Sequence, residues 1–306
     1  MSERLAVLDL GSNAVRLVLA RVTPGVEFRV LRQERVQTRL AAKPRGWLPR
    51  RAIEETIRAI RAFLSDVRRA HPPRVVAIAT AAVRDAPNAD RLLGALQREA
   101  DVEVTVLSGT EEAQLGAVAV LWRRPIDRGA IVDLGGGSLQ VTRVRGGRIA
   151  RVASVPLGVV RTTLRFLRHD PARAGEIAAL RRETRQQLLG VLPRAEAGDA
   201  LIGLGGSLRA LGRVFLRTAG RDDSLGGLRL RRAEITELRR RLEPLSVRQR
   251  RHVRGLKSER ADVILAGAVV IEELMTLGGY EVLTVSSEGV RHGLLIRETF
   301  RRAWSA

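Results

Sequence analysis

Residues 6–15 read "AVLDLGSNAV" and residues 130–139 read "AIVDLGGGSL". Each is a short apolar run followed by Asp-Leu-Gly and small residues, so that Asp9 aligns with Asp133, Leu10 with Leu134 and Gly11 with Gly135. A run of this length bounded by a glycine turn reads as a buried strand entering a hairpin. The second strands follow at 14–21 and 138–144, and a third follows the Gly146-Gly147 turn. Two copies of one phrase point to a duplicated unit, in which each copy presents a glycine turn and a carboxylate at the mouth of a shared cleft.

The rest of the chain alternates strand and helix signals. Helical spacing of apolar residues predicts helices over 51–70, 89–99, 110–121, 172–194, 206–217, 232–242, 258–276 and 289–302. A third strand of the first half is read at 27–37, a buried strand is predicted at 74–80 and a strand at 102–107, and a short one, "DALIGL", ends at the Gly205-Gly206 turn. The polar, Pro- and Gly-marked stretch "RRPIDRG" at 123–129 is the expected junction, giving one domain over 1–124 and a second over 125–306.

Bulk properties narrow the function classes. With 306 residues the chain can build two cores, and 45% hydrophobic content argues against disorder. It has no cysteine, which excludes disulfides and thiolate metal sites. No apolar run reaches the length of a bilayer span, and the start lacks the pattern of a signal peptide, so a cytoplasmic location without membrane contact is expected. The net charge is +21, and Lys43 and Lys257 are the only lysines among 54 basic residues. That balance favours polyanionic partners, although arginine spread along the whole chain is also what a GC-rich genome produces. Aromatic residues are 3%, too few for base-stacking platforms, so nucleic acid is not the expected partner.

Three glycine turns, "DLGSN", "DLGGGS" and "GLGGS" at 203–207, each end an apolar strand. Without Cβ atoms their backbone amides can approach an anion closely, and the third also opens a helix whose dipole adds attraction. Gly11, Ser12, Asn13, Gly135, Gly136, Gly137, Ser138, Gly205, Gly206 and Ser207 are therefore candidate phosphate-binding residues. Leu208 occupies the place of the last glycine of a dinucleotide fingerprint, and no Walker A motif is present. Asp9 and Asp133 end buried strands beside these turns, where a carboxylate either holds a divalent cation against phosphate oxygens or caps turn amides. Arg84, just after a buried strand, is a candidate for bidentate phosphate contact or a solvated side chain. Glu111 and Glu112 both fall in the first turn of a helix, where an acid caps. Adjacent residues point in different directions, so only one can face a cleft.

Together, "DLGSNAVRL" (9–17), "ATAAVRDAPN" (79–88), "LSGTEEAQL" (107–115), "VDLGGGSLQV" (132–141), "VPLGVVR" (155–161), "GLGGSLRAL" (203–211), "ERADVILAGAVVIEELM" (259–275) and "EGVRHGLL" (288–295) resemble the exopolyphosphatase/guanosine pentaphosphate phosphatase family in its short, two-domain form. The resemblance implies an α/β fold of duplicated actin-like, ribonuclease H-like domains, the superfold of actin, Hsp70 and sugar kinases. It implies removal of terminal phosphate from inorganic polyphosphate, or of the 5′ γ-phosphate from guanosine pentaphosphate. Glu112 would be the base that activates water, Asp133 with Asp9 would hold Mg²⁺ or Mn²⁺, and Arg84 with the three turns would bind phosphates. The expected partners are these phosphate compounds, with a homodimer admitted. The chain departs from the family pattern at Gln140, usually an acid, and at Ala14 and Ala81. A binding-only sensor of polyphosphate or alarmone and an ATP-using kinase of the same superfold are the competing readings.

Overall fold

The computed structural model describes residues 2–41, 46–68 and 73–300. The chain forms two compact units, one of residues 1–119 with Val290 onward and one of residues 120–289. The predicted helix ends at 69–70 and 301–302 lie outside the described residues.

The first unit opens with β1 (Glu3–Leu10), β2 (Val15–Thr23) and β3 (Glu27–Val36). Helix α1 (Arg50–Arg68) leads to β4 (Arg74–Ala79), followed by α2 (Ala81–Arg84) and α3 (Ala89–Ala100). Strand β5 (Val104–Val106) then feeds α4 (Gly109–Arg123). The sheet order is β3-β2-β1-β4-β5, with the β1–β2–β3 meander antiparallel and β4 and β5 parallel to β1. As the central strand, β1 buries both faces. Ala6, Leu8 and Leu10 enter a core with α1 and α3, while Leu5 and Val7 enter one with Leu107 and Leu115. That two-sided burial is why its sequence is a continuous apolar run rather than an alternating one.

The second unit repeats the plan. It contains β6 (Gly129–Leu134), β7 (Leu139–Arg145), β8 (Arg148–Val155), α5 (Val159–Phe166), α6 (Ala174–Leu188) and β9 (Ala200–Leu204). It continues with α7 (Gly206–Thr218), β10 (Arg229–Arg231), α8 (Arg232–Leu242), α9 (Val247–Arg250), α10 (Ile264–Gly278) and β11 (Val282–Val285). The order β10-β11-β9-β6-β7-β8 reproduces the first sheet, with β10 added at one edge. Helix α10 is apolar on every side and almost wholly buried. Its two acids, Glu272 and Glu273, are neutralised by Arg239 and Arg181 and by Arg181 and Arg185, as burial of charge requires.

The final helix, α11 (Val290–Thr299), corrects the sequence division at 124/125, which kept 290–306 with the second half. Leu294 and Leu295 join Leu5, Val7, Val18 and Leu115 in a first-unit core. Gly293 permits this approach, because a Cβ there would stand 1.9 Å from the Leu115 carbonyl oxygen. The chain leaves the first unit within α4 and returns with α11. Among the described residues, no helix is long and apolar enough to cross a membrane.

Candidate functional site

In the first unit, the carboxyl ends of β1, β4 and β5 adjoin in parallel, with Leu10 opposite Ala79 and Ala79 opposite Val106. These ends are where ligands bind in open α/β sheets. From β1 issue Asp9 and the Gly11–Asn13 turn, from β4 Arg84, and from β5 the start of α4 with Glu112. Parallel pairing therefore brings six candidates from three separate stretches of sequence to one sheet edge. The Gly11 amide closes its own turn on the Ala14 carbonyl at 3.2 Å. Ser12 is buried, and Asn13 accepts from Gln37 at 3.2 Å while its own buried Nδ2 has no acceptor among the described residues.

The structure separates the two adjacent glutamates. Glu111 is exposed and makes a reciprocal cap with Ser108: the Ser108 amide donates to Glu111 Oε2 at 2.8 Å, and the Glu111 amide donates to Ser108 Oγ at 3.1 Å. These hydrogen bonds from Ser108 lower the Glu111 pKa. Glu112 is 7% exposed, and Arg84 Nη1 donates to its Oε2 at 3.4 Å. The same nitrogen donates to the Leu107 carbonyl at 2.9 Å, so Arg84 ties Glu112 to the end of β5.

Asp9, expected as a cation ligand, is held here by two guanidinium groups. Arg16 Nη1 donates to its Oδ2 at 3.3 Å and Arg291 Nη1 at 2.8 Å. Neither arginine was assigned a role from sequence. One arginine in so arginine-rich a chain carries little signal, and contact across 282 positions carries none.

In the second unit, β6 and β9 end side by side, with Asp133 opposite Leu204. The 135–138 turn closes through the Gly135 amide to the Ser138 carbonyl at 3.0 Å. Its carbonyls are bound from α5: Val159 donates to Gly135, Val160 and Arg161 donate to Gly136, and Arg161 Nε donates to Gly137 at 2.8 Å. With the carbonyls so held, the amides of Gly136, Gly137 and Ser138 have no acceptor among the described residues. Gly158 makes the packing possible, since a Cβ there would lie 2.2 Å from the Gly137 carbonyl carbon.

The third turn begins at Gly205, which has φ +105°. A Cβ on it would meet the Leu134 carbonyl oxygen at 2.4 Å and Asp133 Oδ1 at 3.2 Å. Glycine therefore satisfies both the backbone conformation and the close approach to Asp133. Helix α7 starts beside that carboxylate. Ser207 Oγ is buried without a partner among the described residues, and Arg260 lies so near Gly206 that a Cβ would be 2.0 Å from its Nη2. Arg161 and Arg260 also went unassigned in the sequence, although both lie in stretches that carry the family resemblance.

Gln140 pairs directly with Asp133 across β6 and β7, which puts both side chains on one face of the sheet. Gln140 is 1% exposed and its Nε2 donates to Ser138 Oγ at 2.7 Å and Ser154 Oγ at 3.3 Å, leaving Oε1 unpartnered among the described residues. Among the described residues, no three His, Asp or Glu side chains converge as a closed metal cage. Asp133 and Gln140 Oε1 are nevertheless hard oxygen donors side by side, a set that fits a Mg²⁺ ion taking its other ligands from water and phosphate.

The chain matches the model of the Ppx/GppA phosphatase family over residues 18–301. It is 31% identical over 318 residues to exopolyphosphatase 2 of Mycobacterium tuberculosis, covering 96% of this chain and 98% of that one. It is 29% identical over 306 residues to exopolyphosphatase 1 of Mycobacterium leprae, covering 96% and 89%. Among solved structures it resembles the Aquifex aeolicus PPX-GPPA enzyme, with a TM-score of 0.80, 28% identity and coverage of 97% and 100%. An exopolyphosphatase from Cytophaga hutchinsonii shares the fold, with a TM-score of 0.87 at 22% identity and coverage of 96% and 97%. The two mixed sheets are thus the duplicated actin-like architecture of these two-domain proteins, and the chain belongs to the Ppx/GppA phosphatase family.

Proposed function

We propose that this protein is an exopolyphosphatase, releasing orthophosphate from the end of inorganic polyphosphate by attack of water on the terminal phosphorus. The carrying observation is the division of labour between Glu111 and Glu112: the first caps α4, while the second is buried and fixed by Arg84. A buried, oriented carboxylate at the carboxyl edge of the sheet suits a general base.

The attacking water loses a proton to Glu112 as its oxygen bonds to phosphorus. The bridging P–O bond breaks, and the shortened chain leaves as an anion. Arg84 holds the Glu112 carboxylate in place. Arg16 and Arg291, oriented by Asp9, and Asn13 Nδ2 donate to phosphate oxygens, where charge spreads in a loose transition state. The second unit, by itself, offers the amides of Gly136, Gly137 and Ser138 and the start of α7 at Gly206–Ser207 as a phosphate-binding cradle. Asp133 and Gln140 would hold Mg²⁺ or Mn²⁺, which when bound neutralises phosphate charge. Asp9 serves in this reading to aim two arginines rather than to ligate metal.

The test is phosphate release from long-chain polyphosphate with Mg²⁺ or Mn²⁺, set beside Glu112→Gln. Loss of about 10²–10⁴-fold in rate is expected for a positioned base. Equal rates in the two proteins reject the assignment. The neutral Gln140 supports a second reading, in which the protein binds polyphosphate or a guanosine alarmone without turnover. Turnover by the unmodified protein eliminates it.

A further inference from the structure

The chain enters the second unit at Val120 and leaves it at Gly289. Both stretches line one cavity of about 210 Å³ within that unit. Arg123 and Arg124 come from the end of α4, Ser286, Ser287 and Glu288 from the turn after β11, and Ser224 from the loop between α7 and β10. The cavity falls below the roughly 300–1,000 Å³ of pockets that enclose drug-sized ligands, so it suits a small ion or molecule.

Gly226 and Gly227 draw the polar groups together. A Cβ on Gly227 would lie 2.5 Å from Arg124 Nη2, and one on Gly226 would lie 3.1 Å from Ser287 Oγ and 3.9 Å from Ser224 Oγ. A guanidinium and two hydroxyls thus converge on two adjacent bare backbone positions.

The turn after β11 spends its protons on itself. Ser286 Oγ donates to Glu288 Oε2 at 2.7 Å and Ser287 Oγ to Glu288 Oε1 at 2.9 Å, while the Glu288 amide donates to Ser286 Oγ at 3.2 Å. Arg209 Nη1 holds the turn from α7, donating to the Ser287 and Glu288 carbonyls at 3.5 and 3.4 Å. A hydroxyl has one proton and an ionised carboxylate has none, so Ser287 and Glu288 offer the cavity lone pairs. Arg123 and Arg124 offer only donors. A ligand that satisfies both sides carries negative charge for the guanidiniums and an O–H for the acceptors.

We infer that this cavity binds one orthophosphate ion in its protonated form, with Arg123 and Arg124 on its charged oxygens and its O–H donated to the Ser287–Glu288 pair. Sulfate and the interior units of polyphosphate carry no proton at neutral pH, so Glu288 repels both. The cavity is therefore no extension of a polyphosphate track. Where the polyphosphate reading holds, the ligand is the reaction's own product, but the binding does not rest on that reading.

The experiment follows amide hydrogen exchange of the full chain in EDTA by mass spectrometry. Phosphate and sulfate are compared at equal ionic strength and about pH 8, where a phosphomonoester (second pKa about 6) has lost the proton that orthophosphate keeps. Phosphate at about ten times its Kd should slow exchange over 222–230 and 283–289 about tenfold, and sulfate should not. Arg124→Gln, at an exposed position, should abolish the protection, and Glu288→Gln should erase the preference for phosphate over sulfate. If Glu288→Gln unfolds early, Arg124→Gln decides alone. Protection confined to residues 135–138, equal protection by sulfate in the parent, or undiminished protection in Arg124→Gln overturns the inference. None of these readouts needs turnover, so a protein that fails to hydrolyse polyphosphate loses the catalytic reading and leaves this comparison standing.

Discussion

Gln140 stands directly opposite Asp133 on the β6–β7 ladder, an amide facing a carboxylate with its own Oε1 buried and unsatisfied. Restoring an acid there puts two carboxylates side by side. Gln140→Glu should therefore lower Tm in EDTA, because like charges face each other across the strands. Added Mg²⁺ should recover it, since a cation that binds the folded state stabilises it. Hydrolysis should rise about 10–100-fold, the usual weight of a group that supports a metal site. Thermal melts with and without Mg²⁺ check the point, and indifference to the cation would remove it from this pair.

The two adjacent glutamates should separate cleanly on mutation. Glu111→Ala removes a cap and should cost about 0.3–1 kcal/mol of stability while leaving turnover intact. Because its pKa is lowered on folding, its contribution is whole above the ordinary carboxylate value of 4.5 and is lost as pH falls through the folded value. Melts of parent and variant should converge in acid. A large loss of turnover in Glu111→Ala would contradict the division of roles.

Gly158 and Gly175 make opposite predictions for the same substitution. At Gly158 a Cβ would strike Gly137, Ser138 and Gly136 backbone atoms at 2.2, 2.3 and 2.4 Å, so Gly158→Ala should cost about 1–3 kcal/mol and misplace the phosphate turn. At Gly175, within α6, a Cβ meets nothing, and Gly175→Ala should gain about 0.5–1 kcal/mol. Denaturant melts and turnover of both variants decide it.

Glu176 has a pKa lowered to about 2. Burial alone would raise it, but the His169 side chain and the amides of Arg173, Arg168 and His169 together favour the charged form. Its stabilisation is complete above 4.5 and disappears as pH falls towards 2. Glu176→Gln should therefore melt below the parent at neutral pH, with the gap closing near pH 2. A constant gap would show that proton linkage is not its origin.

Local chemistry decided much of this protein before any packing was known. The Asp-Leu-Gly repeat marked both sheets because a strand buried on two faces and stopped by glycine has few alternatives, and helices such as α8 and α7 were legible from apolar spacing. Short elements were not. Strand β11, helix α5 and helix α9 went unpredicted, being too brief for periodicity to rise above chance. The site divided the same way. Turns, aspartates and the Glu111-Glu112 pair were visible in sequence because glycine and acids are uncommon beside buried strands. Which glutamate caps and which is buried depended on the phase of α4 against β5. The return of α11 to the first unit and the grip of Arg291 on Asp9 were decided only by tertiary structure. Each is a contact between distant segments whose residue types, apolar or arginine, are among the commonest in the chain.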